Sequence, residues 1–190
     1  MQLIFAVTLS GFWGIKDGAS LENGMFGASH IYLYYVFHNR KIKFTENIIE
    51  SVTGLQNSYG LFGSKFGGAC EDYDGIEILS RLIKHRDYMS DPVRKVVQKT
   101  YEMILKYQNS DGGFPYNIDT RSFLRKLRDT FKRKKYFYKY SGWKKMISSC
   151  FQSDLWATYF RTLTIAKIET MLKINENKKY RFYSLPGWGY

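Results

Sequence analysis

Within five positions, at Cys70, Glu71, Asp72 and Asp74, the chain gathers a thiol and three carboxylates immediately before a run whose apolar residues recur at helical spacing. Groups of these types support two chemistries. Neighbouring carboxylates raise one another's pKa and can hold a proton for general acid work, and a thiolate beside a carboxylate can ligate zinc. The same residues also suit the opening turn of a helix, where carboxylates accept orphan N–H groups and meet the positive end of the dipole. Cys150 and Asp154 repeat the Cys70 to Asp74 spacing of four. Residues four apart on a helix share a face, so Asp74 and Asp154 are expected at equivalent places at the starts of neighbouring helices.

The elements that must position these groups read as helices. Thr45 to Leu55 puts Ile48, Ile49, Val52 and Leu55 on one face, with Thr45 as the N-cap. In the stretch after Ser90, Asp91 can cap, Pro92 suits the first helical position, and Val93, Val96, Val97, Tyr101, Ile104 and Tyr107 form a stripe. Leu155, Trp156, Tyr159, Phe160, Leu163 and Ala166 form another, and Ile31 to Phe37 is apolar all round, as a helix inside a larger packing would be. No period-two segment rivals these, so the fold class is all-α.

A chain of 190 residues fits one domain spanning 1–190. Its longest apolar run is too short to cross a membrane. The opening residues carry no Lys or Arg before a short apolar patch and no clear cleavage site, so the expected compartment is the cytoplasm. Two cysteines are too few for a disulfide framework.

Internal repetition organises the chain. "LQNSYGLFG" from Leu55 recurs as "YQNSDGGFP" from Tyr107, and "LENGMFG" from Leu21 reads as a weaker copy. Each full copy ends one helix, turns on glycine, inserts a phenylalanine and leads to another helix. Gln56 precedes Cys70 by 14 residues but Gln108 precedes Cys150 by 42, which puts an insertion of 28 residues at about 115–142. That insertion is basic: Arg121 to Lys145 holds eleven Lys or Arg against one acid, Asp129. Such a segment can associate peripherally with an anionic membrane. It has the charge and aromatics of a nucleic-acid binder but no recognised motif, so no specific nucleic acid is expected.

The Gln, glycine turn and aromatic joining two helices resemble the loop repeat of squalene and other terpenoid cyclases and of protein prenyltransferase β subunits. "QNSDGGF", Gln108 to Phe114, carries the likeness best, joined by "GGACEDYD" and the ending "PGWGY". The resemblance covers roughly residues 20 to 190. It implies an α/α toroid, here partial or open because the chain holds three or four hairpins, with a second copy or a partner completing the arc. Ile31 to Phe37, Ile76 to Ile83 and Leu155 to Ala166 would form the inner layer. It further implies an isoprenoid or lipid-linked ligand, with Asp72 and Asp74 as catalytic acids, and Tyr73, Trp156, Tyr159 and Asp154 touching substrate. Zinc would fall to Cys70, Asp74 and His30, and magnesium is the alternative metal. Two departures stand out. Asp72-Tyr73-Asp74-Gly75 lacks the last carboxylate of the cyclases' Asp-x-Asp-Asp motif, and no Asp-x-Cys step of the zinc enzymes is present. A non-catalytic binding or scaffold protein that retains the repeat is the rival expectation.

Overall fold

The computed structural model describes residues 10–13, 20–63, 66–84, 89–118 and 152–174. Cys150, His85 and the basic stretch Arg121–Lys145 lie outside them. Five helices and no strand occur among the described residues: α1 (Leu21–Phe37), α2 (Thr45–Gly54), α3 (Ala69–Lys84), α4 (Asp91–Lys106) and α5 (Leu155–Leu172). The all-α class is thereby shown. None of these helices is long and apolar enough to cross a membrane.

Helix α3 is central and packs against each of the other four. Its residues explain why. Ala69, Cys70, Tyr73, Ile76, Ile78, Leu79 and Leu82 are all buried, so apolar groups point in several directions rather than along one stripe. Contacts between α3 and α5 ascend together along both chains, from Cys70 with Trp156 to Glu77 with Lys167, so the two run parallel. Tyr101 meets Glu169 while Phe114, beyond the C-terminal end of α4, meets Thr158 near the start of α5, so α4 and α5 run antiparallel. The main core joins Met25, Ala28 and Tyr32 of α1, Ile48 and Val52 of α2, Ile76 and Leu79 of α3, Val93 and Val97 of α4, and Ile168 of α5.

Several local expectations are corrected. "LENGMFG" is no loop copy but the first turns of α1, capped by Ser20, whose hydroxyl accepts from the Asn23 N–H. Thr45 is the first residue of α2 rather than its cap; Phe44 holds the cap position at φ +57, and the Thr45 hydroxyl donates to the Ile42 carbonyl. Ser90, not Asp91, precedes α4. The Ile31 to Phe37 run is not enclosed all round, because Ile31, Tyr34 and Phe37 are exposed.

A shorter turn, Ser10-Gly11-Phe12, also buries a phenylalanine after a positive-φ glycine, but Gly11 directly precedes Phe12 whereas Gly60 and Gly112 stand two residues before Phe62 and Phe114. In the two longer copies the backbone closes identically. The Asn57 N–H donates to the Leu61 carbonyl and the Gly60 N–H to the Asn57 carbonyl, just as the Asn109 N–H donates to Gly113 and the Gly112 N–H to Asn109. Gly60 and Gly112 take φ +92 and +83, values that glycine adopts without steric cost. Gln56 and Gln108, the repeat's signature residues, donate Nε2–H to the carbonyls of Gly60 and Gly112. The glutamine thus ties the turn to the end of the helix before it.

Candidate functional site

In the two longer loops the phenylalanine is tied to the helix that follows, whereas the Phe12 N–H donates to Ser10 Oγ within its own turn. The Phe62 N–H donates to Asp72 Oδ1 across ten residues, and the Phe114 N–H donates to Thr158 Oγ1 across 44. Asp72 is therefore the counterpart of Thr158. The start of each helix agrees, since the Asp72 N–H donates to the Gly68 carbonyl and the Thr158 N–H to the Asp154 carbonyl. Asp154 thus corresponds to Gly68, and Asp74 to Phe160. The expected equivalence of Asp74 and Asp154 is overturned; their common spacing from a cysteine does not reflect a common place. The insertion in the second loop is 34 residues by this register, the difference between the two separations, rather than 28.

Each acidic residue of the cluster has a distinct task. Asp154 is the N-cap of α5, its Oδ1 accepting from the Ala157 N–H at 2.6 Å. At the same position before α3 stands Gly68, and a side chain there would run into the Glu71 carboxylate. Glu71 accepts from the Tyr116 hydroxyl at 2.9 Å and from its own N–H, covering the helix end in place of a cap. Burial raises its pKa despite those bonds.

Asp72 is fully buried and forms an ion pair with Arg161 of α5, itself fully buried. The Arg161 guanidinium also donates to the Tyr116 carbonyl at 3.0 Å. Burial pushes the Asp72 carboxyl up to about 6, against the opposing pull of Arg161 and of the Phe62 N–H, which leaves it ionised at neutral pH. Farther along, Glu77 pairs with Arg81 of its own helix and, at 2.5 Å, with Lys167 of α5.

Asp74 differs from all of these. It is 6% exposed, and its partner is the Ser29 hydroxyl of α1, 2.7 Å from Oδ1. Burial, helped by the nearby Glu71 and Glu77 charges and opposed by Ser29, pushes its pKa up to about 8. Ser29 Oγ also lies 2.8 Å from the Phe26 carbonyl. A hydroxyl has one proton to give, so beside an ionised Asp74 it is divided between these two acceptors, and a protonated Asp74 can itself donate to Ser29.

The other expected site residues come together around the parallel N-terminal ends of α3 and α5. Trp156 Nε1–H donates to Cys70 Sγ at 2.9 Å. Tyr73 and Trp156 flank the Phe160 ring at centroid distances of 5.5 and 4.9 Å, and Tyr159 adds a third contact at 5.2 Å. Tyr73 is buried, and burial raises its hydroxyl's pKa, whereas Trp156, Tyr159 and Leu155 reach the surface.

A metal does not fit this arrangement. Among the described residues no group of three His, Cys, Asp or Glu side chains comes together to hold an ion. Cys70 is committed to Trp156, Asp74 to Ser29 and Asp72 to Arg161. Cys70, Asp74 and His30 therefore do not assemble the zinc set that the resemblance implies, and the carboxylates are not gathered for magnesium. The position of the missing fourth carboxylate is also filled. Gly75 lies under the Phe62 ring, where a β-carbon would come within 3.0 Å of three ring atoms.

Arg161, Ser29 and Glu77 were not singled out by sequence. Arg161 sits in an apolar stripe, where a lone basic residue is a pointer to a buried acid partner. Ser29 carries no such signal. Searches against known protein families, curated proteins and solved structures found no match to this chain.

Proposed function

We propose that this protein is a non-catalytic helical-repeat binding protein, an open arc of the α/α-toroid kind, that holds an apolar ligand of isoprenoid or lipid-linked type. The observation that carries this reading is the aromatic patch at the joined ends of α3 and α5. Leu155 is 88% exposed and Tyr159 45%, and Tyr159 packs on Phe160, which Tyr73 and Trp156 also flank. Surface apolar groups backed by a rigid aromatic layer suit a flat hydrocarbon chain. The carboxylates that chemistry would need are meanwhile engaged in holding helices together.

Titration of the protein with farnesol, followed by tryptophan emission, tests this. Saturable quenching that disappears in Trp156→Phe supports it. Equal quenching in that variant, or none in the parent, refutes it.

A second reading, an acid catalyst of the cyclase kind, rests on Asp74, which holds its proton at neutral pH beside Ser29. It requires product from an isoprenoid alkene, formed by the parent and lost in Asp74→Asn. Farnesol bound but unchanged by both proteins keeps the binding reading.

A further inference from the structure

Where α1 turns into α2, residues 37–44 form a cationic tip edged by aromatic rings. All of them except Ile42 are exposed. Arg40, Lys41 and Lys43 form no ion pair among the described residues. From Asn23 to Thr45 the chain contains no Asp or Glu, and the nearest acids along it are Glu22 at the far end of α1 and Glu46 in the first turn of α2. Apolar groups continue the tip along α1. Ile31, Tyr34 and Phe37 stand three apart, so they neighbour one another on the helix surface, and with Phe44 each is 42% to 51% exposed. Tyr32 and Tyr35 of the same helix pack on Trp13 at ring distances of 5.3 and 5.8 Å, which anchors α1 behind this face. Phe44 holds φ +57, a left-handed conformation that bulky residues avoid, yet its ring lies outside the core, so core packing does not account for it.

We infer that residues 37–44, with Ile31 and Tyr34 of α1, are a docking surface for an anionic lipid bilayer, the three cations meeting headgroup phosphates and the rings entering the interface beside them. The combination of groups selects this partner. Lys and Arg are drawn to the surface potential of an anionic leaflet, and aromatic rings settle at headgroup depth. The remaining stretches of this chain have the wrong charge to cover the tip. Positions 1–9 hold no charged side chain, 14–19 and 85–88 hold one acid each beside one Lys or Arg, and 64–65 hold Lys65 alone. Positions 119–151 set Asp119 and Asp129 against eleven Lys and Arg, and 175–190 set Glu176 against Lys178, Lys179 and Arg181. A second copy, at a net charge of +12, is repelled as well. The surface is separate from the one at Trp156. Glu22 lies near Glu71 and Ser29 meets Asp74, so α1 runs parallel to α3 and its C-terminal tip is at the opposite end from Cys70 and Trp156.

Sedimentation of the full chain with lipid vesicles tests this. Binding is expected to vesicles of phosphatidylcholine and phosphatidylglycerol in equal parts, not to phosphatidylcholine alone, and it should weaken as salt is added. Arg40→Gln, Lys41→Gln and Lys43→Gln together should lower affinity about a hundredfold, about fivefold for each cation. Phe37→Ser with Phe44→Ser keeps the charge and should lower affinity about tenfold or more. All five side chains are exposed, so both variants should melt like the parent. Full binding by the triple variant overturns the proposal in favour of the basic stretch Arg121–Lys145, and full binding by the double variant overturns the entry of the rings. Failure of the parent to bind the mixed vesicles also overturns it. If the parent instead binds a single-stranded oligonucleotide that the triple variant does not, the tip is a nucleic-acid contact.

Discussion

Along one side α3 is fastened by charge, Asp72 to Arg161 and Glu77 to Lys167 of α5; along the other it meets α1 through Ser29 and a carboxyl that holds its proton. The two seams start two residues apart on one helix, at Asp72 and Asp74. Both carboxyls are buried, so burial alone does not decide their states. What separates them is how far burial is offset: Arg161 and the Phe62 N–H hold the first to about 6, whereas Ser29 alone opposes burial at the second, which rises to about 8. An acidic cluster read as one site thus divides into two kinds of joint.

Removing the charged joint should have the largest effect. Asp72→Ala leaves Arg161 buried and unpaired, at a cost of about 3–5 kcal/mol, measured by urea unfolding at pH 7. Replacing both partners by apolar residues, Asp72→Leu with Arg161→Met, should recover most of that loss. A double variant as unstable as the single one would show that the Arg161 charge is not what the loss reports.

The neutral joint makes a prediction in pH. The unfolded Asp74 carboxyl has its ordinary value of 3.8, and the folded one about 8. Between those values the folded protein keeps a proton that the unfolded chain has released, so this group's contribution is full below pH 4 and is lost as pH rises to 8. Asn can donate to Ser29 as the protonated acid does. Asp74→Asn should therefore melt like the parent near pH 4 and increasingly above it as pH rises, by more than about 4 °C at pH 8. A gap that does not widen with pH would mean the carboxyl is ionised in both states.

Much of this architecture was legible in the sequence. The stripes of α2 and α4 and the paired Gln-Asn-Ser loops come from periodicity and from turn residues, which act locally, whereas the stripe expected on α5 is not its buried face: Leu155, Trp156 and Tyr159 are exposed, and Ala157, Phe160, Arg161, Thr164 and Ile168 turn inward. The division of labour at Glu71, Asp72 and Asp74 was not legible, because it depends on Arg161, Tyr116 and Ser29, which lie 45 to 89 residues away. Equal spacing at Cys70–Asp74 and Cys150–Asp154 misled for a related reason. The helix start is set by where the loop phenylalanine finds its acceptor, and one acceptor is a carboxylate while the other is a threonine.

The smallest effect compares the two glutamines. Gln56→Ala removes contacts to Gly60, Val96 and Thr100 and should cost about 1–2 kcal/mol. Gln108→Ala removes one exposed contact and should stay within about 0.5 kcal/mol. Equal losses would show that α4 adds nothing to the first loop.

The division of α3 into a charged and a neutral seam is tested most directly by following the side-chain carboxyl carbons of Asp72 and Asp74 by NMR as pH is raised. The expected result is that Asp74 keeps the shift of a protonated acid through pH 7 and titrates near 8, while Asp72 is already ionised at pH 7. An Asp74 carboxyl that titrates near 4 would contradict it.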